Sequence, residues 1–144
     1  MDKILVTGGL GFIGSHTVVE LRNEGFEVVI IDDLSNSSIN VLDGITAITG
    51  KSPILEKFDL KDKSKVQDFF KRHQDIKGNI QFAASKAVGE SVQKPLLYYE
   101  NNINTLVYVL QELRNLPTAN FIFSSSCTVY GQACLLYTSD AADD

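Results

Sequence analysis

The sequence predicts an open α/β sheet of parallel strands with helices on both faces. Three observations carry this expectation. Short runs of β-branched and aliphatic residues alternate with helix-period segments from the first residues to about Phe123. One of these runs, Val28-Val29-Ile30-Ile31, is apolar at consecutive positions, which a strand buried on both faces requires. No internal repeat, low-complexity tract or flexible linker interrupts the alternation before residue 130, so right-handed crossovers join neighbouring strands.

The elements follow in order. Lys3-Ile4-Leu5-Val6-Thr7 is a run of strand formers that stops at Gly8-Gly9. Phe12 to Leu21 is helical, with Phe12, Ile13, Val18, Val19 and Leu21 facing the sheet and Gly25 at the C-cap. Asp32-Asp33 ends the second strand. Val41 to Thr49 forms a helix, Ile54 to Phe58 a third strand, and Ser64 to His73 a helix with Val66, Phe69 and Phe70 inward. Ile80-Gln81-Phe82-Ala83 is a short fourth strand. Pro95 opens a long helix to about Leu113, and Phe121-Ile122-Phe123 is a fifth strand before Ser124-Ser125-Ser126.

Composition narrows the function classes. The 144 residues carry 13 Lys+Arg against 18 Asp+Glu, a net charge of -5, and 44% hydrophobic residues, which suits one soluble domain with its own core. An acidic chain without a basic stripe argues against nucleic acid as a partner. No run approaches the roughly 18–20 apolar residues of a membrane span, and the opening MDKILVTGG lacks the marks of a secretory signal. Cys127 and Cys134 make neither a disulfide framework nor a metal-ligand set, so no metal is expected and a reducing cytoplasm is the expected setting. His16 and His73 have no carboxylate or serine at triad-like spacing.

The chemistry concentrates between the first strand and the first helix, at Gly8-Gly9-Leu10-Gly11-Phe12-Ile13-Gly14. Gly8, Gly11 and Gly14 meet three needs: a tight turn, close approach of backbone to a pyrophosphate, and close packing of helix on strand. The helix amides and dipole then stabilise the phosphate charge. Asp32 ends the second strand about 20 residues further on, where an acid accepts hydrogen bonds from an adenosine ribose. A carboxylate there repels a 2′-phosphate, so NAD is expected over NADP. Asp59, after the third strand, is placed to face an adenine ring.

These residues resemble a known family. Thr7 through Gly14, TGGLGFIG, is similar to the nucleotide-binding turn of the extended short-chain dehydrogenase/reductases. Phe82 to Pro95 (FAASKAVGESVQKP), continuing through Tyr98-Tyr99 and Asn101-Asn102, resembles the UDP-glucose 4-epimerases, as does Phe121 to Gly131 (FIFSSSCTVYG). The resemblance covers residues 3 to 133. It implies a Rossmann-like doubly wound parallel sheet, ending here after about five strands, and, for the full-length parent, an NAD-dependent isomerase acting on UDP-glucose and UDP-galactose and assembled as a homodimer. Another nucleotide-sugar enzyme, such as a dehydratase or decarboxylase, and a noncatalytic nucleotide-binding module are the alternatives.

The resemblance also implies roles. Gly8, Gly11, Phe12, Ile13 and Gly14 would line the pyrophosphate. Asp32, Asp33, Ser35, Asn36 and Ser37 would surround the adenosine ribose and its phosphate, and Asp59 and Leu60 the adenine. Phe82, Ala83, Ala84 and Lys86 would follow the cofactor towards its nicotinamide end, with Asn101 and Ser124 in support. Ser126 matches the family's active-site hydroxyl, which bonds the sugar oxygen at C4. On the residues alone, Ser124-Ser125-Ser126 equally fits a strand terminator and cap.

Departures from the family pattern are instructive. Gln81 stands where many members carry His, and Thr105 follows Asn104 where a glycine is common. The family's Tyr-x-x-x-Lys proton-transfer pair occurs nowhere in the 144 residues. The string from Cys134 to Asp144 resembles an in-frame translation of a sequencing-library adapter. The expected organisation is therefore an incomplete NAD-binding domain over 1–133 and a non-native tail over 134–144, the whole being the N-terminal part of a longer enzyme and itself inactive.

Overall fold

The computed structural model describes residues 1–84, 92–116 and 119–125. Among the described residues, five strands alternate with four main helices: β1 (Lys3–Thr7), α1 (Phe12–Asn23), β2 (Glu27–Ile31), α2 (Asn40–Thr49), β3 (Ile54–Glu56), α3 (Lys63–Arg72), β4 (Ile76–Gln81), α4 (Pro95–Leu113) and β5 (Asn120–Phe123). All neighbouring strands are parallel, in the order β3-β2-β1-β4-β5. The chain runs outward from β1 to β3, then crosses back to place β4 on the other side of β1. That reversal makes the carboxyl ends of β1 and β4 the sheet's switch point, where open α/β sheets form their ligand crevice.

The two faces have separate cores. Val6, Val28 and Ile30 pack with Leu10, Val18 and Ile45 under α1 and α2. Leu5, Val29 and Ile31 pack with Val66, Phe69, Phe70, Val109 and Leu113 under α3 and α4. Val28 to Ile31 are all at most 1% exposed, as a strand covered on both sides demands.

Local chemistry sets the helix ends. Asp62 caps α3, its carboxylate accepting from the Lys65 amide at 3.2 Å. Pro95 sits in the first turn of α4. At the end of α1, Glu24 is the C-cap and Gly25 follows it with φ +87°; the sequence had placed Gly25 one position early.

Two strands differ from expectation. β4 starts at Ile76 rather than Ile80 and ends at Gln81, because pairing with β1 draws in Lys77, Gly78 and Asn79 despite their weak strand preference. Phe82 and Ala83 lie beyond it, their amides donating to the Thr7 carbonyl (3.1 Å) and hydroxyl (3.3 Å). β3 ends at Glu56, which frees Phe58 to turn towards the switch point. Among the described residues, no helix is long and apolar enough to cross a membrane, and no group of His, Cys, Asp or Glu is arranged to hold a metal. The 134–144 tail lies outside the described residues.

Candidate dinucleotide site

A cavity of about 400 Å³ opens at the switch point. Its floor is the turn after β1. Gly8 holds φ +68°, and a Cβ there would lie 2.9 Å from the Ala83 amide nitrogen. A Cβ on Gly14 would lie 2.2 Å from the Gly8 carbonyl, so the first turn of α1 rests directly on the strand that feeds it. Gly11 is the N-cap of α1 and brings no side-chain cap, and no acidic residue occupies the first turn. The helix therefore offers uncapped amides and the positive end of its dipole to the cavity. Phe12 and Ile13, which the sequence placed on the sheet side of α1, are instead 84% and 53% exposed and form the cavity rim. At the very start of a helix their positions lie past the edge of the sheet, where no core reaches them.

Asp32 directly follows β2 and is only 8% exposed. Its Oδ2 accepts from the Leu10 amide at 3.0 Å, and its Oδ1 accepts from the Leu34 amide at 2.9 Å and the Ser37 hydroxyl at 2.7 Å. A carboxylate accepts about four hydrogen bonds, so about one direction remains, on the less occupied Oδ2. Asp32 thus ties the glycine turn to the loop after β2 as well as facing the cavity. Leu34 in that loop holds φ +62°, the conformation in which its backbone N–H donates to Asp32 Oδ1. The exposed Asp33 accepts from the Ser35 amide and hydroxyl.

Asp59 accepts from the Lys61 amide at 2.8 Å, with the Lys61 ammonium 3.5 Å from its other oxygen. From the opposite side, α4 contributes Asn101 and Thr105. The cavity wall brings together the sequence-assigned Gly8, Gly11, Phe12, Ile13, Gly14, Asp32, Asp33, Ser35, Asn36, Ser37, Asp59, Leu60, Phe82, Ala83, Ala84 and Asn101. Ser124 is not on it; its amide donates to the Gln81 carbonyl at the end of β5. Lys86 and Ser126 lie outside the described residues. Three wall residues escaped the sequence reading: Ile31, Phe58 and Thr105. Their signals were available, since Ile31 and Phe58 each precede an assigned acid and Thr105 lies one helical turn from Asn101.

The model of the NAD dependent epimerase/dehydratase family matches residues 4–142. The chain belongs to that family. Similarity to individual members is high: 51% identity over 128 residues to the UDP-glucose 4-epimerase of Haemophilus influenzae, covering 89% of this chain and 38% of that one. The Neisseria meningitidis serogroup B UDP-glucose 4-epimerase is 45% identical over 141 residues, 97% of this chain and 41% of that one. The chain thus spans about two-fifths of the length of the curated relatives it matches.

Solved members of the family share the fold. The UDP-glucose 4-epimerase of Bifidobacterium longum, in complex with NAD+ and UDP, superposes with a TM-score of 0.87 at 41% identity, over 94% of this chain and 40% of that one. The Stenotrophomonas maltophila enzyme, with NAD and formylated UDP-arabinopyranose bound, gives a TM-score of 0.87 at 38% identity, over 96% and 41%. The Rossmann-like reading of the sheet holds.

Proposed function

We propose that this chain is the NAD-binding part of a UDP-glucose 4-epimerase, an isomerase that interconverts UDP-galactose and UDP-glucose at C4 of the hexose. One observation carries the reading: a single cavity at the switch point unites the uncapped start of α1, the Asp32 carboxylate and the Asp59 loop. Bound NAD supplies the acceptance and return of hydride at that carbon. The residues fit it. The first-turn amides of α1 meet the pyrophosphate, and Asp32 offers its remaining acceptor direction to a ribose hydroxyl. Asp33, Ser35, Asn36 and Ser37 enclose the adenosine ribose and its phosphate, and Asp59 and Leu60 border the adenine. The paired acids Asp32 and Asp33 disfavour a 2′-phosphate and hence NADP.

Towards the nicotinamide end, the same reading assigns Phe82, Ala83, Ala84, Lys86, Asn101 and Ser124 to the cofactor shell and Ser126 to the sugar. It places the domain over 1–133, with 134–144 outside it, in a cytoplasmic enzyme. The 144 residues hold no Tyr-x-x-x-Lys pair to take and return the hydroxyl proton. The purified chain is therefore expected to bind NADH, seen by fluorescence titration, without converting UDP-galactose. Turnover at an ordinary enzymatic rate, about 1–1000 per second, would refute the division of labour, and failure to bind NADH would refute the cofactor reading. The alternative, a noncatalytic nucleotide-binding module, is excluded by Tyr-x-x-x-Lys in the native transcript beyond Ala133.

The homodimer belongs to the same proposal. Leu96, Tyr99, Ile103, Val107 and Leu110 lie on α4 at helical spacing and are 37–82% exposed, a stripe of the kind that packs against another helix. Sedimentation equilibrium should show concentration-dependent dimers that Ile103→Lys abolishes; a monomer at every concentration would contradict this.

A further inference from the structure

Among the described residues, three phenylalanines line the cavity, each at a different place along the carboxyl edge of the sheet. Phe12 opens α1 and is exposed, with the His16 ring 5.1 Å away. Phe82 follows β4 and packs, partly buried, against the core under α1 and α2. Phe58 lies beyond the end of β3, is only 9% exposed, and belongs to the core under α3 and α4. Its ring centre is 6.1 Å from that of Phe69, which is wholly buried and in turn meets Phe70 at 5.2 Å and His73 at 4.5 Å. Ile31 and Leu60 likewise belong to that core and line the cavity. At this one end, core and cavity wall are the same side chains.

The loop that carries Phe58 is tied down as well. The Asp59 carbonyl accepts from the Asp62 amide at 3.0 Å, and the Asp59 carboxylate accepts from the Lys61 amide at 2.8 Å. A side chain fixed by both its neighbours and its backbone has little freedom left to lose when a ligand arrives. On the dinucleotide reading above, the strand order says which ring reaches it. The uncapped amides of α1 follow β1, Asp32 follows β2 and Phe58 follows β3, and these three strands are successive neighbours in the sheet. With the pyrophosphate beyond β1 and the adenosine ribose beyond β2, the base of that nucleotide falls beyond β3. The nicotinamide half runs the other way, towards Phe82 and β4. A purine presents flat faces that gain most from an apolar and aromatic wall held ready for them.

We propose that Phe58 is the adenine-contacting wall of this site: its ring, held by Phe69 and flanked in the core by Ile31 and Leu60, is the preformed surface on which the base packs. The inference deepens the dinucleotide reading and rests on it. It is tested by magnetic resonance on the 144-residue chain with isotopically labelled phenylalanine rings, titrated with NADH. Nuclear Overhauser contacts should join the Phe58 ring to the adenine ring protons and not to those of the nicotinamide. Phe58→Leu, first shown to be folded by circular dichroism, keeps an apolar core residue and loses the ring. It should bind NADH about threefold to tenfold more weakly, the worth of one aromatic contact. ADP, which lacks the nicotinamide half, should lose affinity by the same factor. Undiminished NADH binding by Phe58→Leu overturns the inference, as does a loss that ADP does not share. If NADH binds and the Phe58 ring shows no contact to adenine, the wall lies elsewhere while the cofactor reading survives. That measurement uses the unaltered chain, so it decides even where leucine unfolds the core. If the unaltered chain binds no NADH, the cofactor reading and this inference fall together.

Discussion

Asp32 does more than its position at a strand end implies. Three protein donors converge on its two oxygens, one of them from the glycine turn itself. Replacing one oxygen by an amide nitrogen sets N–H against N–H in a nearly buried site. Asp32→Asn should therefore lower folding stability by about 1–3 kcal/mol and weaken NADH binding as well. Urea melts without nucleotide, paired with titrations, would register both effects; unchanged stability with weakened binding would reduce the residue to a ligand contact alone. The place of Asp32 on the cavity wall was legible in the sequence, because an acid at that distance from the glycines is a local pattern. The structural role was hidden, because it depends on the Leu10 amide, which carries no side-chain signature.

The joint between β1 and α1 is the most exacting local feature of the fold. An added methyl on Gly14 meets the Gly8 carbonyl at 2.2 Å and the Gly9 Cα at 2.9 Å, both backbone atoms that cannot swing aside. Gly14→Ala should cost about 3 kcal/mol and, by lifting α1 off the strand, abolish nucleotide binding. Gly44, inside α2, has open space around it, so Gly44→Ala should stabilise by about 0.5–1 kcal/mol through helix propensity. Thermal melts of the pair check both signs; a harmless Gly14→Ala would mean that the turn is far looser than drawn.

Elements with strong periodicity were legible to within a residue or two, as with β1, α1, α3 and α4. The fourth strand was not, because its first half, Ile76 to Asn79, contains Lys, Gly and Asn and becomes a strand only by lying beside β1. The sheet-facing reading of Phe12 failed for a related reason, while its assignment by resemblance to the ligand crevice agrees with its place on the cavity wall. Periodicity marks a residue as apolar and helical, but whether sheet or open cavity lies beneath depends on where the strand below it stops.

Across the molecule, carboxylates with depressed pKa values fasten the sheet to its surroundings. The Arg72 guanidinium, 2.6 Å from Glu56, holds that carboxyl below its ordinary 4.5 against the opposing effect of burial, with His73 assisting. Lys3 does the same for Asp75 at 2.6 Å. Such groups bind fewer protons folded than unfolded, so their stabilisation is complete above the ordinary carboxyl pKa and lost as pH falls through the lower folded value. The urea midpoint should hold from pH 7 to about 5 and fall below it. Glu56→Gln should start from lower stability at pH 7 and show a shallower acid fall. An unchanged acid slope would mean that the Arg72 pair contributes nothing.

The order of the strands has a consequence for biosynthesis. β1 lies at the centre, bonded to β2 on one side and on the other to β4, with Thr7 opposite both Ile31 and Gln81. A growing polypeptide can zip the first flank early, but the second must wait until the segment ending at Gln81 has left the ribosome. The central strand thus emerges well before its second partner, and until that partner arrives it stands with one row of amides and carbonyls open to a chaperone or to another nascent strand.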